Sequence, residues 1–350
     1  SGRGDDVAER HVTWVLGQAE ALRQLMPDRP DAAAADDLMI ELADVRLAHR
    51  HFVDADDVDR ALRLCAALHF IALFRMHAEM FGWIREAADR FGEVDHPLAE
   101  DVLGSASIGM WVRGDLDAAR EYAERAERRA TASRHPGAGR AAAEALADVH
   151  AFRGDNETSL ECFERATELA RVQGDRARIA SNLADAALSA GYLGQADRAR
   201  IGIARAWDLV GPHGSDLLSA WVAYTEGESL AESDPAQAIV ALEQAMEGAG
   251  ACSLHFVTGV AGLTLTSLQV RRGMLDAAAP RLVDLLEHWR RAGAWVQHEI
   301  TLRTVAELLV RAGRHDEAAV VLGFVLSNPG AVESTGPDLE RLETARAAVL

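Results

Sequence analysis

Several arrangements in this 350-residue sequence could in principle do chemistry, and each lacks a part that the chemistry needs. The run "DADDVD" at 54–59 places carboxylates with the oxygen spacing of a calcium loop. Such a loop turns on a glycine at its sixth position and closes with a glutamate at its twelfth, where this chain has Asp59 and Cys65. The run therefore reads as solvated charge at a helix N-terminus. Thirteen histidines include no HxxxH or HExxH pair, and His49 and His51, two apart, would diverge on a helix. His288 with Trp289, and Trp295 with His298, read as packing between helices. No GxSxG occurs, and acid pairs such as Glu41 and Asp44 fall on helix surfaces. All 36 basic residues are Arg. Without lysine there is no Walker A lysine, no Schiff base and no kinase-type phosphate lysine. The formal net charge of −19 opposes a phosphate backbone, so no direct nucleic-acid partner is expected. No catalytic residue, cofactor or metal is expected either.

What remains is recognition chemistry: aromatic faces, carboxylates and guanidinium forks. The aromatic and methionine cluster Phe70, Phe74, Met76, Met80, Phe81 and Trp83 could line a pocket, but at helical spacing it reads as core. The candidates for ligand contact are Trp111, Glu144, Asp148, Phe152, Tyr192, Arg271, Arg303, Glu307 and Arg311. They form one surface only if a repeating set of helices aligns them.

Such a repeat is present. "RGDLDAAREYAERA" (113–126), "RGDNETSLECFERA" (153–166) and "LGQADRARIGIARA" (193–206) align with "ESDPAQAIVALEQA" (232–245), "RGMLDAAAPRLVDL" (272–285) and "AGRHDEAAVVLGFV" (312–325). Turn glycines at 114, 154, 194, 273 and 313 keep a spacing of 40, 40, 79 and 40, with Ser233 standing in for the missing one. Five residues after each turn lies a small side chain: Ala119, Ser159, Ala199, Ala238, Ala278 and Ala318. Glycine ends one helix, and the small residue lets the next pack closely. A period of about 40 residues holds two helices of three to four turns with short connections. The 67 alanines suit that architecture. The expected fold is all-α: a superhelical solenoid of antiparallel helix hairpins. In such stacks the first helix of each pair lines the concave side. The candidates above sit two or three, six and ten residues before the turns, which is one helical stripe.

Upstream, 9–26 and 36–52 read as helices joined by a turn at 27–31. Residues 57–76 read as one long helix with 79–91 as its partner. The expected organisation is N-terminal adapter helices at 1–56, about seven hairpins at 57–326, and a loop with a terminal helix at 327–350. Ser1 in place of Met, and an end inside a helical pattern, suggest a piece of a longer protein. The longest apolar run, 64–74, is interrupted by His69 and is too short to span a bilayer. Cys65, Cys162 and Cys252 form no framework, which suits reduced thiols in the cytoplasm.

The repeats resemble tetratricopeptide repeats in a longer variant. The order "ERHVTWVLGQAE", "ELADVRLAHRHFVDADDVDRALRLCAAL", an aromatic helix and "GWIREA" resembles the helical sensor region of actinobacterial signalling ATPases of the STAND class. Many of those carry LuxR-type or winged-helix DNA-binding domains, or nucleotide cyclase domains. The resemblance implies a non-catalytic regulatory module, with a protein, peptide or small effector in the concave groove and the other domains of the parent protein as partners. A stand-alone peptide-binding receptor is the alternative. Met76 stands where such proteins usually have a turn glycine.

Overall fold

The computed structural model describes residues 2–26, 28–327 and 333–349. Pro27 and residues 328–332, within the expected turn at 27–31 and the expected loop at 327–337, lie outside the described residues. The described residues form nineteen helices and no strand.

Six regular hairpins make the body of the chain. They are α7 (Ala99–Val112) with α8 (Leu116–Ala132), α9 (Arg140–Phe152) with α10 (Asn156–Gln173), and α11 (Arg176–Tyr192) with α12 (Ala196–Val210). Then come α13 (Asp216–Leu230) with α14 (Pro235–Ala251), α15 (His255–Arg271) with α16 (Leu275–Ala292), and α17 (Trp295–Arg311) with α18 (His315–Ser327). Each first helix also packs on a neighbouring first helix: α7 on α9, α11 on α13, and α15 on both α13 and α17. All six small residues of the repeat lie on the second helices and are fully buried. The solenoid is therefore built as its sequence period requires.

The turns show why glycine recurs. Gly114 has φ 84, and the next amide, Asp115 N–H, bonds back to the Met110 carbonyl at 3.0 Å. That left-handed ending satisfies otherwise unpaired carbonyls. Asp115 then starts α8 by accepting from the Ala118 amide at 3.0 Å. Met76 takes the same conformation, φ 54, with His77 N–H on the Ala72 carbonyl at 3.0 Å. Ser233 does not. The non-glycine residues with positive φ are Asp56, Met76 and Ser253, and α13 ends instead with Asp234 N–H on the Leu230 carbonyl at 2.8 Å. Serine pays a steric cost there that glycine does not, and Pro235 in the first turn of α14 has no N–H left to satisfy.

The N-terminal part comprises α1 (Gly2–Leu25), α2 (Ala32–Ile40), α3 (Leu42–Asp54), α4 (Val58–Ala67), α5 (His69–Phe74) and α6 (Ala78–Phe91). Two expected helices are each broken. The one at 36–52 bends at Glu41, because Val45, Ala48 and Phe52 are buried in α3 while Arg75 holds Asp36 of α2 at 2.6 Å. The one at 57–76 breaks at Leu68, with no glycine or proline to announce it. There α5 turns inward and meets α7 and α15. Finally, α19 (Gly336–Val349) covers the end of the stack, with Ala345 and Leu342 packed on Ala306 and Leu322.

Candidate ligand-binding groove

The first helices bring a connected set of aromatic and charged side chains to the inner side. Trp111 lies tilted against Phe152 at 4.6 Å between ring centroids and meets Phe256 edge-on at 6.0 Å. Phe256 continues to Trp221 at 5.9 Å, and Trp221 to Tyr224 at 5.1 Å. Phe74 of α5 reaches Trp221 at 5.7 Å, so the inserted helix fills part of the interior. The aromatic cluster of 70–83 is largely core, as expected.

Beside this wall lies a buried charge network. Glu144 accepts from Arg140 Nη1 at 2.6 Å, Arg178 Nη1 at 3.2 Å and Asn182 Nδ2 at 2.9 Å. Burial pushes its carboxyl up, but the two guanidinium groups outweigh this and hold it below the usual range. Arg178 also lies over the Phe70 ring and donates to His69 Nε2 at 2.9 Å. The Ser105 hydroxyl donates to the Asp101 carbonyl, so His69 Nδ1–H donates to Ser105 at 2.7 Å. The imidazole is neutral in this arrangement, and burial next to Arg178 and Arg140 holds its pKa well below 6.5.

Three further acids have no ion-pair partner among the described residues. Half-buried Asp148 is raised well above the ordinary range by burial and by Asp185 and Glu144. Asp185 accepts from Trp221 Nε1 at 2.9 Å and Ser181 Oγ at 3.3 Å, and burial pushes it up to about 7. Glu228 accepts from the Tyr192 hydroxyl at 2.9 Å and from Thr264, and is likewise raised by burial.

The candidates fall into two groups. Trp111, Glu144, Asp148 and Phe152 join the interior set, and Tyr192, 37% exposed, stands at its rim. The Arg-rich end is ion-paired within the chain: Arg271 with Glu232, Arg303 with Glu299 at 2.8 Å, and Arg311 with Glu307 at 2.9 Å. The stripe does not include Arg178 and Asp185, which share α11 with Tyr192 at other offsets from the turn, or Trp221 and Glu228 of α13, a helix on which it has no residue.

A separate cavity of about 270 Å³ lies where α1 meets the loops leading into the hairpins, lined by Arg23, His96, Glu100, Arg129 and Asp175 among others. Its polar groups are used structurally: Arg23 pairs with Asp175 at 3.4 Å, and Glu100 accepts from the amides of Gly139 and Ala142. Nearby, α2 and α13 cap each other. Ala32 N–H donates to Asp216 at 3.0 Å, while Ser215 and the Leu217 amide donate to Asp31. Among the described residues no group of histidine, cysteine or acid side chains could hold a metal, and no helix is long and apolar enough to cross a membrane. The three cysteines are unbridged.

No family model and no curated protein matches the chain. Solved structures do. A Rap protein in complex with a competence and sporulation factor superimposes with a TM-score of 0.59 at 12% identity, covering 98% of this chain and 99% of that one. A STAND-class signal transduction ATPase with a tetratricopeptide repeat sensor, from Pyrococcus horikoshii, gives 0.47 at 11% identity over 88% of this chain and 48% of that one. The fold is a tetratricopeptide-like helical solenoid.

Proposed function

We propose that this chain is a non-catalytic recognition module whose inner helices receive a partner of protein or peptide character carrying a cationic group. The carrying observation is the set Asp148, Asp185 and Glu228: carboxylates held on the inner side with no direct ion pair among the described residues, next to Trp221 and Tyr192. Keeping such acids partly desolvated opposes folding, which is a mark of binding surfaces rather than of structural ones. A guanidinium, ammonium or amino terminus would supply the missing charge, with its stem against the aromatic wall. The regulatory role fits a sensor or interaction domain of a multidomain cytoplasmic signalling protein, of the kind that joins an ATPase module to a transcriptional or cyclase domain. A stand-alone peptide receptor is the second reading. It is favoured by the match along nearly the full length of a Rap chain described in complex with a competence and sporulation factor.

A library of random linear peptides, selected on the full chain, tests the site. The expected binders carry basic residues, cross-link to α9, α11 and α13, and lose at least about tenfold affinity on Asp148→Asn combined with Asp185→Asn, an energy of roughly 1.4 kcal/mol. Binders that map to the outer helices α10, α12, α14 and α16 would refute the reading.

A further inference from the structure

The chain itself already occupies one end of the groove. Residues 333–341 cross the C-terminal ends of three successive inner helices. Glu333 N–H donates to the Phe152 carbonyl of α9 at 3.1 Å. Asn156 Nδ2, just past the same turn, donates to Thr335 Oγ1 at 3.0 Å. Arg303 Nη1 donates to Ser334 Oγ at 2.6 Å. A Cβ on Gly336 would come within 3.4 Å of the Tyr192 carbonyl of α11, and Arg341 Nη1 reaches Glu232 beyond α13 at 2.8 Å. The fit is close: a Cβ on Gly154 would sit 2.7 Å from Thr335 Cγ2 and 3.3 Å from Glu333 Cβ. Phe152, Tyr192 and Arg303, three residues of the predicted stripe, thus contact this segment directly. Arg271 shares Glu232 with Arg341.

Two features separate this contact from the packing that ends the stack. The apolar anchoring of α19 lies further along, at Leu342, Ala345 and Val349 against Ala306, Val310, Val321 and Leu322. Residues 333–341 hold on instead through polar bonds to the turn ends, and Glu333, Gly336, Asp338, Leu339 and Glu340 are exposed. A segment tied this way opens at lower cost than a buried helix face. Its tether supplies an effective concentration in the millimolar range, so even weak bonds keep it seated.

We infer that residues 333–341 are a built-in competitor for the groove. The turn ends of α9, α11 and α13 form a peptide subsite for an extended, hydroxyl-bearing stretch that enters a helix, and a partner must displace the chain's own segment to use it. This inference rests on the groove reading above but concerns a different part of the surface from Asp148 and Asp185. A partner gains affinity whenever the segment is loosened, because the competition is intramolecular.

The probe is a synthetic peptide of residues 333–341 bearing a fluorophore, titrated into the full chain and into the full-length double variant Ser334→Gly with Thr335→Gly. The variant removes two anchors from the segment and leaves the groove intact, so the peptide should bind it at least tenfold more tightly. In the unsubstituted protein, excess peptide should speed amide hydrogen exchange at 333–336 without changing α17 or α18. Equal affinity for both proteins, or exchange at 333–336 that ignores the peptide, would overturn the inference. Library peptides that cross-link to the turn ends of α9, α11 and α13 and yet bind both proteins equally would overturn it too, while leaving the groove reading standing. Tighter binding of the self-peptide to the variant, with no library binders at Asp148 and Asp185, would support the inference and refute that reading.

Discussion

Asp185→Asn should stabilise the protein, and should do so more as pH rises. The carboxyl accepts from Trp221 and Ser181, and neither bond requires a charge; an asparagine oxygen can still face Trp221 Nε1. Burial raises the folded group from an ordinary 3.8 to about 7. A raised acid binds its proton more tightly when folded than when unfolded. Its contribution is present below the unfolded value and is lost as pH climbs through about 7. At 1.36 kcal/mol per pH unit, the penalty accumulated between pH 4 and pH 8 is on the order of 4 kcal/mol. An unfolding entropy of roughly 2.1 cal/mol/K per residue converts this to about 5 °C if the array melts as one unit. Denaturant titrations of both proteins at pH 4, 6 and 8 should therefore show midpoints that nearly coincide in acid and diverge in base. An asparagine variant weaker than the parent at pH 8 would show that the carboxylate works as an anion inside the fold, and would refute the argument. The same shift bears on binding: a cationic partner that stabilises the ionised acid should bind more tightly at pH 8 than at pH 6.

His69 gives the opposite slope. Its folded pKa is lowered, so its contribution is intact above the unfolded value of about 6.5 and is lost as pH falls below it; His69→Gln should flatten the decline in denaturant midpoint between pH 7 and pH 5. Gly259→Ala should destabilise by about 3 kcal/mol, since the new Cβ would lie 2.1 Å from the fully buried Trp289 ring. Gly248→Ala, whose Cβ meets only Ala220 at 3.9 Å, should instead stabilise by about 0.5–1 kcal/mol through helix propensity; thermal melts separate the two. Ser253→Gly should gain about 1 kcal/mol by relieving an exposed left-handed residue at φ 55, and an unchanged midpoint would show that the turn carries no such strain.

The hairpins were legible from sequence because local geometry sets their signals. A left-handed turn favours glycine, and the close crossing five residues later tolerates only small side chains such as Ala119 and Ser159. The break at Leu68 had no such signal. Its cause is a partner 109 residues away, Arg178 bonded to His69, with Ser105 on the other ring nitrogen. The mutual capping of α2 and α13 is equally silent, since it joins residues 184 to 186 apart. The inner-side residues outside the stripe are equally unsignalled. Counting six and ten back from Ser233, as from the glycine turns, reaches Gly227 and Ala223, which the stripe does not include. The Gly227 backbone faces Leu242 of α14, and Ala223 is buried. Because Ser233 avoids the left-handed conformation, α13 ends differently, and the residues that bond across the inner side are Trp221 and Glu228. Asp185 lies nine residues before the ordinary glycine turn at Gly194, so such positions are fixed by packing across helices and not by the turn. The repeat whose turn departs from the rule contributes Trp221 to Asp185 and Glu228 to Tyr192, two of the contacts on which the cationic-partner reading depends.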